Sequence, residues 1–334
     1  MRKIICTLLC ALSVPAMAVN DGDPSSSKGL ESVVSIGYFK AIGRADGEPY
    51  LMFNTECTGT LIDKDKVLTS VECAERRPYA FDEIPGKYIF SATKNRSGER
   101  ISQRIKTFDI NTFVSDSEAL GITVRKVTGS AINPDYDPSR LVIGSGNPGN
   151  LAILTLQSPV EGVSPMPLAT AEQLDMYVNN LSFPALKFAG FGLKREGFRP
   201  GKLQTTDLIV YHGVLCDLRG EDINTVDMRV QYSSVGDTQL CTDNSPPSAI
   251  LCDGDLGGPL LIQTSVGKFA LAGVAGTRLY ADFSANERGG RSSYNCSTDS
   301  FRPDPHGSGD GGIGLFEKPL SYSDWVEANT SLTF

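Results

Sequence analysis

An all-β fold is what this sequence predicts, on three observations. Short runs rich in Val, Ile, Leu and Phe recur along the chain, clusters of Gly, Pro, Asn and Asp separate them, and helical periodicity is scarce before the C-terminus. In chain order the runs are SVVSIGYF from Ser32, TGTLI from Thr58, KVLTS from Lys66, KYIFSA from Lys87 and ITVRKV from Ile122. LAILTL from Leu151, LKFAGFG from Leu186, LQTTDLIVY from Leu203, GPLLIQT from Gly258 and FALAGVAG from Phe269 follow. Each is of strand length and each is bounded by turn formers, so a barrel or a sandwich is expected. The last turn-free stretch, SYSDWVEAN from Ser321, has Ser and Asp near its start and apolar Trp325 and Val326 within it, which predicts a short terminal helix. Residues Ala281 to Gly314 are rich in Ser, Gly, Asp and Arg, and predict a long, largely solvated loop tethered at Cys296.

The chain opens MRKIICTLLCALSVPAMA. Arg2 and Lys3, an apolar stretch from Ile4 to Leu12 and the small-x-small Ala16-Met17-Ala18 predict a signal peptide over residues 1–18 and a mature start at Val19. Leu9 is too large for the residue that a lipidated Cys10 would need before it. No later segment approaches the roughly 18 apolar residues of a membrane span, so a soluble exported product is expected. Without the leader, 29 Lys and Arg face 39 Asp and Glu, a net charge of −10 that makes nucleic acid and acidic membranes poor partners. Residues 19–334 suffice for one large domain or two fused subdomains. They hold six cysteines, at 57, 73, 216, 241, 252 and 296. An even number in an exported chain predicts three disulfides, and the sequence alone permits about fifteen pairings.

Three stretches carry a resemblance. CTGTLI, KVLTSVEC and CDGDLGGPLLI resemble the three blocks that frame the active site of trypsin-like serine proteases, in the same order, with Cys57 and Cys73 at that family's spacing. INPDYD and GNLAILTLQSP look like its connecting loop and the strand start that carries its aspartate. FAGFG, LQTTDLIVYHGVLC, LAGVAG and GLFEKPLSYSDWVEAN resemble further landmarks, the last including the Trp325 helix. The resemblance runs from about Val19 to the end, with inserts near residues 75–127 and 281–314. It implies two antiparallel six-stranded β-barrels with a cleft between them, a short C-terminal helix, and disulfides Cys57–Cys73, Cys216–Cys241 and Cys252–Cys296. It brings no cofactor and no metal, and a monomer is the default.

That family's chemistry needs a serine nucleophile, a histidine that takes its proton and an aspartate that orients the histidine. Carried over position by position, the histidine slot is Glu72, the aspartate slot is Asn150 and the serine slot is Leu256. The only histidines, His212 and His306, lie outside the blocks that resemble the cleft. Ser70, two residues before Glu72, is expected to face the interior, and a leucine side chain has no lone pair that can attack a carbonyl. The substitutions also look mutually adjusted. An aspartate beside Glu72 would set like charges about 4 Å apart, a repulsion of about 4 kcal/mol near the surface, whereas Asn150 can donate an amide hydrogen bond instead.

The framework of the turn is retained in Gly254, Asp255, Gly257, Gly258 and Pro259, so the backbone N–H groups of Gly254 and Leu256 are expected to form an oxyanion-hole-like pair. Glycines serve a tight turn whatever its function. In the family this aspartate pairs with a new α-amine, and here VNDG follows directly on the predicted signal-peptidase site. The Val19 amine is therefore expected to pair with Asp255 once export releases it. The resemblance places Ile250 on the floor of the specificity pocket and Gly276, Thr277 and Arg278 on its wall. Arg278 either closes the pocket mouth or swings into solvent. NDGD at Asn20 and GSGDGG at Gly307 lack the spaced carboxylates of a calcium loop. Sequons stand at Asn95, Asn180, Asn295 and Asn329.

These observations lead to the expectation of a secreted, catalytically inactive serine-protease homologue that binds a protein or peptide ligand through its cleft rim and inserts. The alternative is a serine endopeptidase, as the family resemblance implies, working with an unconventional nucleophile. A regulatory partner of an active protease is a third possibility.

Overall fold

A computed structural model of the chain describes residues 29–43, 49–75, 86–92, 122–137, 148–178, 185–192, 203–211, 237–243, 251, 254–280 and 312–334. Twelve strands in these segments form two closed six-stranded barrels. The first contains β1 (Val33–Gly43), β2 (Pro49–Asp63), β3 (Lys66–Thr69), β4 (Tyr88–Ala92), β5 (Ile122–Ile132) and β6 (Ala152–Leu156). The second contains β7 (Ala185–Gly190), β8 (Gln204–Tyr211), β9 (Gln239–Asp243), β10 (Pro259–Ser265), β11 (Lys268–Tyr280) and β12 (Gly312–Glu317). Around the first barrel the order is β1-β2-β3-β6-β5-β4, and the second repeats it as β7-β8-β9-β12-β11-β10. Every neighbouring pair is antiparallel, and β4 on β1 and β7 on β10 close the two rings, so neither barrel leaves an edge.

The expected fold class is therefore the one observed, and each of the ten apolar runs lies on a strand. β9 and β12 are the strands the ten runs missed: QLCTD is short and has only Leu240 and Cys241 as apolar residues, and GIGLFE opens with glycines at the end of the stretch read as a loop. Helix was also under-read. α1 (Val71–Glu75) is too short to show a period, and α2 (Ala171–Val178) mixes polar residues into every turn around a buried Leu174. The terminal helix starts later than expected: a 3₁₀ turn spans Pro319–Tyr322, and α3 covers Ser323–Asn329. Both expected inserts contain strand. The stretch near 75–127 includes β4 and the start of β5, and β12 takes the last residues of the 281–314 loop.

Three apolar clusters hold this frame. Val34, Ile36, Leu61, Val67, Ile89 and Leu154 fill the first barrel, and Leu186, Phe188, Leu208, Leu240, Leu260 and Phe316 fill the second. The third cluster joins them: Ile62, Leu68 and Ile153 of the first barrel pack with Ala189, Leu261, Leu271 and Val274 of the second and with Val326 of α3. A cleft between two such bodies needs a firm joint, and this shared cluster supplies it. Two bulges shape the walls. At the break in β1 register, Gly37 lies so close to β2 that a Cβ would fall 2.0 Å from the Asn54 carbonyl oxygen. In β11 the register skips between Ala275 and Thr277, leaving Gly276 out of the ladder with its carbonyl free to face the cleft.

Candidate functional site

The site lies where α1, the turn before β6 and the turn before β10 meet. Cys57 of β2 and Cys73 of α1 form a disulfide that fixes the short helix to the first barrel. Lys87 secures the helix from the other end by donating to the carbonyls of Cys73 and Ala74. Burial drives the Lys87 amine down to about 8, with Glu75 pulling the other way. So anchored, α1 presents Glu72.

Asn150 is fully buried and every polar atom of its amide is engaged. Its Oδ1 accepts from the Val71 N–H at 2.9 Å, and its Nδ2 donates to Glu72 Oε1 at 3.1 Å and to the Gly276 carbonyl at 3.2 Å. An aspartate could not make this set, because two of its contacts would be acceptor against acceptor. The bulge in β11 thus has a local purpose, since it delivers the Gly276 carbonyl to the Asn150 amide. Burial raises the Glu72 carboxyl above its ordinary value, and the hydrogen bonds from Asn150 and Ser70 offset this only in part. Glu72 Oε2 is buried without a partner at hydrogen-bonding geometry among the described residues. Ser70 is fully buried with its hydroxyl 3.1 Å from Cys73 Sγ, which places it in the interior.

The turn from Gly254 to Gly258 faces this group. Gly254 and Gly257 have φ of 97° and 77°, values that side chains resist. Gly257 also needs its missing Cβ, which would lie 2.0 Å from Thr69 Oγ1. Thr58 stitches the turn to β2. Its N–H donates to the Leu256 carbonyl at 2.9 Å, and its hydroxyl donates to the Gly254 carbonyl at 2.7 Å while accepting from Phe191 N–H at 3.0 Å. Among the described residues, the N–H groups of Gly254 and Leu256 find no acceptor. The Leu256 side chain is half-buried and packs on the first barrel's core, and its carbonyl lies 3.3 Å from Cys73 Sγ. Asp255 is fully buried and accepts from Gly192 N–H at 2.8 Å. Gly190 and Gly192 make room for that carboxylate, since a Cβ on either would come within 2.3 Å of it.

A further buried acid went unnoticed in the sequence. Glu317, at the end of β12, is 1% exposed; its Oε1 accepts from Gln239 Nε2, and its Oε2 accepts from Gly149 N–H at 3.2 Å and lies 3.2 Å from the Tyr322 hydroxyl. Burial pushes its carboxyl up to about 7, with Glu72 adding to the rise. The one sequence signal was a glutamate inside the apolar run GLFE. Thr58 and Lys87 were missed for a plainer reason, because nothing local marks a threonine or lysine that acts across the chain.

Glu72, Asn150, Gly276 and the Gly254–Gly258 turn are therefore gathered in one place. Cys241 is disulfide-bonded, and its partner lies outside the described residues, as do Val19, His212, Cys216, Ile250, Cys252, Cys296 and His306. Of Thr277 and Arg278 the backbone is described, paired with Leu315 and Gly314 of β12. The Arg278 side chain, and with it the question of the pocket mouth, falls outside the described part. Compared with known protein families, the chain matches the family model Trypsin over residues 46–289.

Proposed function

For a chain that belongs to the trypsin family of serine proteases but centres its cleft on a leucine, a glutamate and an asparagine, we propose a binding role without proteolysis. The observation that carries this reading is the seat of Leu256. The family resemblance puts the attacking oxygen at this position, and here an apolar side chain packs onto the first barrel's core. Glu72 and Asn150, at the positions of the general base and its orienting acid, are hydrogen-bonded to each other and not poised toward a nucleophile. Loss of such a set costs on the order of a million-fold in rate. The remaining framework suits a protein or peptide ligand: a cleft between two closed barrels in which the N–H groups of Gly254 and Leu256 find no acceptor among the described residues. We read residues 1–18 as an export leader and residues 19–334 as the secreted domain, with the released Val19 amine pairing with Asp255. N-terminal sequencing of the secreted protein tests that last point, and a start other than Val19 overturns it.

A specific observation favours the second reading, serine endopeptidase activity by an unconventional route: the family match itself, together with donors at Gly254 and Leu256 that find no acceptor among the described residues. One experiment separates the two. Mature protein is treated with a serine-directed fluorophosphonate and, separately, incubated with a broad peptide library. No covalent label and no cleavage above a heat-denatured control is the expected result. Stoichiometric labelling, or turnover that the label abolishes, would overturn the binding reading.

A further inference from the structure

Two buried carboxyls that the binding reading does not use lie on either side of one turn. Glu72 belongs to α1 of the first barrel, and Glu317 ends β12 of the second. The Gly149–Asn150 turn touches both, Gly149 through its N–H to Glu317 Oε2 and Asn150 through its Nδ2 to Glu72 Oε1. The same asparagine reaches the Gly276 carbonyl of the second barrel and the Val71 N–H of the first. Two consecutive residues thus bind four residues of three elements, α1, β11 and β12, and no Lys or Arg nitrogen is within ion-pair distance of either acid among the described residues.

We propose that the Gly149–Asn150 turn is a proton-operated latch between the barrels, closed while Glu317 is protonated and loosened when Glu317 and Glu72 are both ionised. The chemistry of the closed form is complete without charge. A neutral Glu317 carboxyl keeps lone pairs for Gly149 and Gln239, and its O–H can donate to the Tyr322 hydroxyl 3.2 Å away, which in turn bonds Thr238. In the ionised form three donors remain, but a charge with almost no solvent contact faces a second carboxylate across one peptide unit.

Of the groups around the turn, Glu317 is the acid whose carboxyl is pushed up to about 7. From β9 and the residues before it come Gln239, Thr238 and Asp237, and the adjacent Lys318 is held below its ordinary value by burial, with Asp237 and Glu317 opposing. From the 3₁₀ turn comes Tyr322, which burial and Glu317 push up to about 12. From α1 come Glu72 and, behind it, Glu75, while Tyr136, next to β6's partner strand, is raised by burial and by both of these acids. Lys87 is committed to the α1 carbonyls. With the folded carboxyl near 7 and its ordinary value 4.5, the folded protein keeps a proton that the unfolded chain has lost. The latch therefore holds in acid and weakens as pH rises through about 7. This inference stands whether or not the cleft binds a partner.

The test follows amide hydrogen exchange of residues 148–156 in the mature protein from about pH 5.5 to about pH 8.5, corrected for intrinsic exchange, with β10 as internal control. Protection of this segment is expected to fall about tenfold relative to β10 across that range, and the fall should be abolished in Glu317→Gln. The infrared carbonyl band of a protonated carboxylic acid should titrate alongside it in the unmodified protein, with its midpoint near 7. Glu72→Gln should move that midpoint down, a change that a purely structural glutamate would not show. Flat protection across the range, absence of the acid band at about pH 6, or an unaltered profile in Glu317→Gln would overturn the proposal. Should Glu317→Gln fail to fold, the infrared titration of the unmodified protein decides alone.

Discussion

Asn150→Asp installs the residue that the family resemblance places at this position, and the structure says that the fold will resist it. The side chain is fully buried, so both new acceptor contacts form in a site without water to relieve them. Nδ2 currently donates to the Gly276 carbonyl at 3.2 Å and to Glu72 Oε1 at 3.1 Å. Losing the first bond costs about 1 kcal/mol, and two unit charges about 4 Å apart add about 4 kcal/mol at an effective dielectric near 20. One carboxyl can escape this by taking a proton, whose O–H then replaces the lost donor. The variant should therefore lose about 3–5 kcal/mol at about pH 8 but only about 1 kcal/mol at about pH 5. The sign follows because the acid's folded value is raised above its unfolded one, so stability present in acid is lost as pH rises. Urea unfolding of the mature variant and its parent at both pH values gives the comparison. Equal stability at the higher pH, or an identical loss at both, would refute the argument.

Glu317 itself makes the parent pH-sensitive: with its carboxyl raised from 4.5 to about 7, its contribution is intact below 4.5 and lost through about 7. The loss amounts to about 3 kcal/mol, read from unfolding at each pH. Leu256→Ala should cost about 1–2 kcal/mol, less than a fully buried leucine, and a loss under about 0.5 kcal/mol would deny its role in joining the barrels. Gly192→Ala puts a Cβ 2.3 Å from the Asp255 carboxylate and should cost about 3 kcal/mol or prevent folding, as circular dichroism and melting would show. The combined reversion Glu72→His, Asn150→Asp, Leu256→Ser should recover little or no peptidase activity, measured by fluorophosphonate labelling rate, and brisk labelling would show an open, catalytically sound cleft.

Most of the fold was legible because strands announce themselves through runs whose apolar content survives on any background. Leu151 to Leu156 is legible as a buried strand on its own letters, and the structure needs nothing else to place it. β9 shows the limit, since QLCTD is made a strand by β8 and β12 on either side and not by its own composition. The site divides the same way. Gly254 and Gly257 were legible as turn glycines because positive φ leaves few alternatives. Glu317 was not, because a buried acid is defined by what surrounds it, and those groups come from residues 149, 239 and 322. Thr58 was likewise illegible, as its three bonds reach across about half the chain to residues 191, 254 and 256.

The same geometry bears on how a cleft of this kind can change. A catalytic centre holds polar groups in mutual opposition, which costs stability that the rest of the fold must supply. Here the residues that the resemblance carries onto the three triad positions are instead tied into the joint between the barrels: Leu256 by packing on the first core, Asn150 by three hydrogen bonds that span both barrels, Glu72 by the Asn150 amide. Restoring aspartate and serine together would remove about 4–7 kcal/mol by the figures above, against a typical total of about 5–15 kcal/mol. Neighbouring effects do not add strictly, but all the terms have the same sign. Any single step back toward the family's chemistry therefore loses stability before it can gain activity, since one member of a catalytic set does little without the others. A well-joined scaffold and a catalytic set thus make opposite demands on Leu256, Asn150 and Glu72, and the contacts of all three serve the joint.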